Sequence, residues 1–216
     1  MREKLHTFFT GRASKRDQLL FFAFTLAVLL TGIIISQAFF PGGYSILNNH
    51  ISDQGGWANN PQVFWVFDIC VVISGILLIS SFVWLYRRLL PTMPPVSHLA
   101  TLGSLAGCVG FICVGLFPQD LGWPHNYAAD LAFGGLGLGA LLMFFILIRK
   151  MWLREPWPNK VGFGVVFGQI IVVGIIALIA QLAHVEWAPF QWSLMISEGV
   201  WLFGILLLAK PDEPVL

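Results

Sequence analysis

Charge is what this sequence has least of. Only 11% of its 216 residues are Asp, Glu, Lys or Arg, whereas 57% are hydrophobic, and the mean hydropathy is +0.79. Soluble domains run near one quarter charged and just under half apolar. That composition excludes a water-soluble globular domain and predicts a polytopic membrane protein, in which the spans use nearly all the residues. Cysteine is scarce too: Cys70, Cys108 and Cys113 all fall inside apolar runs. An odd number with no CxxC excludes a disulfide framework, and small helix-packing residues are the expected role. The net charge of +1 carries no nucleic-acid signal, so no nucleic-acid partner is expected, and the expected partner is membrane lipid. A cleavable leader would end in a small-residue pattern such as A-x-A. The first apolar run ends instead in Phe39-Phe40-Pro41-Gly42, which predicts a retained helix.

What is present is six long apolar runs. The predicted spans are 18–40, 61–86, 97–117, 125–148, 161–183 and 190–209, each near the twenty residues a helix needs to cross the hydrocarbon core. The expected fold is therefore all-α, a six-transmembrane-helix bundle over 18–209. A polar segment, 1–17, precedes it and a short tail, 210–216, follows. Basic residues test this arrangement. Five lie in 1–17, two are Arg87 and Arg88, four lie between Arg149 and Lys160, and one is Lys210, which accounts for all twelve. The three alternate loops have none. By the positive-inside rule both termini are cytoplasmic, in a cell (inner or plasma) membrane. Trp57, Trp65, Trp123, Trp187 and Trp192 then fall near the outer ends, and Trp84, Trp152 and Trp157 near the inner ends, as expected of aromatic belts.

Small residues predict how the helices meet. Gly103, Ala106, Gly107 and Gly110 form one stripe of the third span, and Gly134, Gly135, Gly137 and Gly139 crowd the fourth. Stripes of this kind let helix backbones approach closely. With no GxxxxGK[ST] and no preceding strand, a phosphate loop is the poorer reading of the glycines. Gly162, Gly164 and Gly168 in the fifth span are expected to pack in the same way.

The chemistry must come from few residues. The stretch Asn48-Asn49-His50-Ile51-Ser52-Asp53-Gln54-Gly55-Gly56-Trp57 is a polar island between apolar runs. Each outer loop offers a histidine, a carboxylate and a tryptophan: His50, Asp53 and Trp57, then Asp120, Trp123 and His125, then His184, Glu186 and Trp187. Asp68 and Glu198 lie roughly 10 Å and 13 Å down their helices at 1.5 Å per residue, and Asp130 is shallower, with Asn126 one turn above. An intramembrane acid is by default a functional-site hypothesis. No Lys or Arg reaches that depth, so these acids must be protonated, hydrogen-bonded or bound to a cation, with Gln169, Gln181 and Gln191 as available amides.

The candidate polar site is therefore Asn48, His50, Ser52, Asp53, Asp68, His125, Asp130, His184, Glu186 and Glu198. For each there is a plainer role: interfacial histidines bonded to loop backbone, Asp53 as a turn cap before Gly55-Gly56, and Asp68 and Glu198 as polar staples between helices. If His50, His125 and His184 converge, three histidines suit a divalent metal such as zinc, with an open position suited to hydrolysis. There is no HExxH to support it locally. Ser52 lacks a specified base, and no facing histidine pair suggests a transmembrane haem. Three functional readings follow. The first is binding or transport of a small cation, proton or amphiphile in an outward-facing polar cavity. The second is a metal-dependent intramembrane hydrolase acting on lipid-like substrates. The third is a structural membrane subunit. No inverted repeat or broken helix marks a secondary transporter.

The segment Asn48-x-x-Ile51-Ser52-Asp53-x-Gly55, with Gly115-Leu116-Phe117-Pro118 and then His125 and Ala128-Ala129, resembles the prokaryotic membrane family known as domain of unknown function 998. That resemblance implies a six-span bundle with an Ile-Ser-Asp-x-Gly loop after its first helix, and marks Asn48, Ser52, Asp53, Gly55, Pro118 and His125. It implies no reaction. The same loop is similar to that of the eukaryotic DRAM/SFK-type six-span proteins, which are associated with membrane-lipid biology.

Overall fold

The structure, a computed structural model, describes residues 2–153, 160–183 and 188–209. Seven α-helices run through these residues: α1 (Arg2–Phe9), α2 (Lys15–Ala38), α3 (Phe64–Leu89), α4 (Pro94–Leu116), α5 (Trp123–Trp152), α6 (Lys160–Leu182) and α7 (Ala188–Leu208). All but α1 are long and apolar enough to cross a membrane, so the chain is an all-helical multi-pass membrane protein. Helices α2 to α5 pack each against the next, α6 and α7 form a hairpin, and α7 meets both α2 and α5.

Glycine explains the closest of these contacts. A Cβ on Gly110 would collide with the Ala132 backbone, and one on Gly135 with the Gly107 backbone. The α4 stripe thus works as expected, but only half of the α5 glycine run does. Gly135 and Gly139 face α4, whereas Gly134 and Gly137 have nothing within 4 Å. On α6 the expectation fails. Gly164 and Gly168 look into open space, and the close approach between α6 and α7 is made by Gly204 of α7 against Val166. The reason is geometric: on a helix only residues three or four apart share a face, so a glycine count does not say which face is used.

The two ends of the bundle differ. At the end where α2 starts, a large core gathers Phe82, Trp84, Leu85, Met143, Ile146, Leu147, Trp201 and Ile205, all essentially inaccessible. Helix α1 and its turn seal this end. Trp84 Nε1 donates to the Ala13 carbonyl at 3.0 Å, Arg87 Nη1 to the Thr10 carbonyl at 2.9 Å, and Arg88 sits 3.5 Å above the Trp84 ring. Trp84 is therefore a core residue and not an interfacial belt residue. Gln18 of α2 bridges Ser80 and Ser81 of α3 at 3.1 and 3.0 Å, a polar staple inside an otherwise apolar pair. At the opposite end only Ile33, Ile51, Phe67, Val71 and Trp192 form a small cluster. The bundle is solid at one end and hollow at the other, and the hollow end holds the candidate site.

Candidate functional site

Loop one (residues 39–63) folds over the hollow end as a lid with its own scaffold. Its polar island makes a short 3-10 turn, Ile51–Gly55, and Asp53 Oδ2 accepts the His50 backbone N–H at 2.8 Å. Asp53 Oδ1 accepts the Gln119 side-chain amide at 2.8 Å, and Asp120 accepts the backbone N–H groups of Trp57 and Ala58 at 2.6 and 3.0 Å. Two of the candidate loop carboxylates thus spend their lone pairs joining loop one to the loop after α4. This is the turn-cap role for Asp53, extended into a second loop.

Tyr44 and Trp192 fasten the other side. Tyr44 Oη donates to the His50 carbonyl at 2.9 Å, and Trp192 Nε1 of α7 donates to Tyr44 Oη at 3.1 Å. Burial pushes the Tyr44 phenol above its ordinary value, against opposing hydrogen bonds from Trp192 and Gln54. Below the loop, Asn60 Nδ2 donates to the Ser36 and Gln54 carbonyls at 3.1 and 3.3 Å. Tyr44, Asn60 and Gln119 carry no weight in sequence reasoning because each acts through a partner distant in the chain.

Asp68 lies directly under this lid. Gly55 rests on its carboxylate: a Cβ there would collide with Asp68 Oδ1, and one on Gly115 with the Asp68 carbonyl. The glycine of the Ile-Ser-Asp-x-Gly motif thereby leaves room for the Asp68 carboxylate, since a Cβ there would push that side chain and the Phe67 ring aside.

His125 is set by the end of α4. That helix stops before Pro118, the chain turns through Gln119–Leu121 and Gly122, and α5 starts with Trp123-Pro124. The Phe117 carbonyl, orphaned by the helix end, meets His125 Nδ1 at 2.7 Å. A carbonyl can only accept, so Nδ1 carries the proton in this contact. His125 is only 5% exposed.

Between the lid and the helices lies a cavity of about 930 Å³. Its polar wall holds His50, Ser52, Gln119, His125, Asn126, Asp130 and Gln191. The rest is apolar and comes from α2 through α7, including Leu29, Phe67, Phe111, Phe133 and Met195. Of the candidate residues, His50, Ser52, His125 and Asp130 therefore share one cavity. Asp53 braces its rim from loop one, and Asn48 is exposed on that loop. The acids do not gather: Asp130 lines this cavity, Asp68 sits under Gly55, and Glu198 lines a second, deeper chamber. Gln169 bonds to none of these three acids and exchanges hydrogen bonds with Ser197 at 2.6 and 3.0 Å.

His184 and Glu186 lie outside the described residues. Among the described residues no three of His, Cys, Asp and Glu come together as a metal-binding group. His50 and His125 do face the same space, and His50 Nδ1 is buried without a hydrogen bond there.

The family model described as Protein of unknown function (DUF998) matches residues 21–208. The search of curated proteins and the search of solved structures found no match, and the likeness to DRAM/SFK-type proteins gains no support. The match runs from α2 to the end of α7, so lid, cavity and both halves of the bundle fall within it, and the chain belongs to the DUF998 family.

Proposed function

We propose that this protein binds an amphiphile whose head is not anionic, in the cavity beneath loop one. One observation carries the reading: a cavity of about 930 Å³ whose lining combines hydroxyl, amide, imidazole and carboxylate groups with apolar side chains. Ligand sites are typically clefts of this size, mostly apolar with a few placed polar groups. Among the described residues no Lys or Arg lines it, whereas recognition of a phosphate or carboxylate head usually rests on such charges. Ser52, Gln119, Asn126 and Gln191 instead suit the hydroxyls of a polyol or sugar head, and Asp130 suits an amine. The distribution of Lys and Arg supports cytoplasmic termini by the positive-inside rule, and with them a cavity that opens toward the outer face.

The test is lipid analysis of the purified protein beside Ala129→Trp and Ala177→Trp, which fill the cavity from α5 and α6. Wild type is expected to retain one neutral or amine-headed lipid class in excess over the host membrane, and the filled variants to lose it. Equal lipid profiles in the three folded proteins would sink the proposal.

A second reading rests on His125. A histidine whose Nδ1–H is fixed on a carbonyl presents Nε2 in the orientation metal-ligating histidines use, and His50 shares its cavity. The metal-dependent hydrolase reading then takes zinc on His50, His125 and His184. Metal analysis decides it: about one zinc per chain, lost in His125→Ala and His184→Ala, supports it, and a metal-free wild type rejects it.

A further inference from the structure

Beside the main cavity lies a second chamber of about 240 Å³, open on the side where Leu30, Ile196 and Val200 are exposed. Leu29, Phe111 and Met195 line both spaces, so the two meet across these three side chains. The chamber wall comes from α2, α3, α4, α5 and α7, and nearly every side chain in it is apolar, among them Phe22, Leu78, Phe82 and Leu136. Besides the hydroxyls of Thr25 and Ser74, the lining includes the carboxyl group of Glu198. This residue is 7% exposed and makes no hydrogen bond among the described residues.

The hydroxyl groups of this region are already occupied. Thr25 Oγ1 donates to the Phe21 carbonyl at 3.0 Å, Ser74 Oγ points to the Thr25 carbonyl at 3.5 Å, and Ser197 pairs with Gln169. One turn along the same face of α7, Trp201 Nε1 is also buried with no partner. A buried polar group left without a hydrogen bond is destabilising, and apolar residues of similar size would have avoided that cost. Glu198 and Trp201 together leave hydrogen-bonding capacity in the chamber wall that no contact among the described residues uses.

Resting on the amphiphile reading above, we propose that this chamber is the tail subsite of the cavity. There Glu198 hydrogen-bonds one polar group, a hydroxyl, carried within the otherwise apolar chain of the ligand. The head would sit among Gln119, Asn126 and Gln191, and the chain would pass Leu29, Phe111 and Met195 to reach Glu198.

The experiment titrates three probes into the protein in nanodiscs and reads bound ligand by native mass spectrometry. The probes are monooctanoyl glycerol, monostearoyl glycerol, and monostearoyl glycerol hydroxylated in mid-chain. Wild type is expected to bind the hydroxylated long chain about tenfold more tightly than the plain one, in keeping with one added hydrogen bond to a buried partner. Glu198→Leu should erase that preference while leaving the octanoyl probe unchanged, and Glu198→Gln, which keeps a hydrogen-bonding group, should retain most of it. Leu78→Trp, which fills the chamber from α3 and does not line the main cavity, should weaken both long chains and spare the short one. Equal binding of the two long chains by wild type overturns the proposal, as does a preference that survives Glu198→Leu. Binding of the octanoyl probe with that result leaves the amphiphile reading standing, whereas binding of no probe removes both.

Discussion

Asp120 holds Trp57 from a distance of 63 residues, its Oδ2 accepting the Trp57 backbone N–H at 2.6 Å. With Oδ1 on the Ala58 N–H at 3.0 Å, one carboxylate satisfies two consecutive amides of the lid. Such charge-assisted bonds are the stronger kind, and here they join two loops that share no helix. Removing them should free the lid and leave the bundle intact. Asp120→Ala is therefore expected to speed hydrogen exchange at the Trp57 and Ala58 amides by about tenfold, the equivalent of roughly 1.4 kcal/mol. Unchanged exchange at both amides would show that other contacts hold the lid.

The contact between Gly55 and Asp68 makes a sharper prediction because it can be reversed. Gly55→Ala puts a methyl group where the Asp68 carboxylate sits, and overpacking of this kind costs about 1–3 kcal/mol. Shortening the acid in Gly55→Ala/Asp68→Ala should recover part of that loss, giving a coupling energy of the size seen for touching residues, about 0.5–3 kcal/mol. Thermal unfolding of the two single variants and the double variant measures it. Strict additivity would mean that the two residues do not touch.

Adjacent glycines of α5 should respond in opposite ways. Gly135→Ala forces α4 and α5 apart at Gly107 and is expected to lower stability by about 1–3 kcal/mol. Gly134→Ala and Gly137→Ala meet nothing within 4 Å and, in mid-helix, should be neutral or stabilising by up to about 1 kcal/mol. Melting temperatures in one detergent compare the three directly, and equal losses would contradict the helix face assigned here.

Alkali should open the lid at Tyr44. Its folded-state pKa is raised, with burial the largest cause, so its contribution to stability is complete below the unfolded value of 10.0 and is lost as pH rises through the folded one. Ionisation removes the proton that Tyr44 donates to the His50 carbonyl. The absorbance difference between wild type and Tyr44→Phe should show phenolate only above pH 10.0, together with a change in Trp192 fluorescence. Phenolate appearing below that pH would place Tyr44 in solvent.

Much of this architecture was legible along the chain. Six apolar runs, each long enough to span a bilayer, and twelve basic residues confined to alternate connections determine an all-helical membrane bundle, because an apolar solvent leaves the backbone no other way to satisfy its hydrogen bonds over one segment. The polar island 48–57 was also recognisable as a working part, since amides, imidazole and carboxylate are costly beside hydrocarbon. Its individual roles were not. Asp53 and Asp120 brace the two loops, Asp68 supports Gly55, and Asp130 and Glu198 fall in separate cavities. Sequence cannot assign these roles because residues of equal depth on different helices are equivalent until helix rotation is set. That rotation follows from which glycines face a neighbour, Gly135 and not Gly134, and it is decided only when all the helices pack at once. The cavity itself has no sequence signature, being the volume that the packed side chains fail to fill.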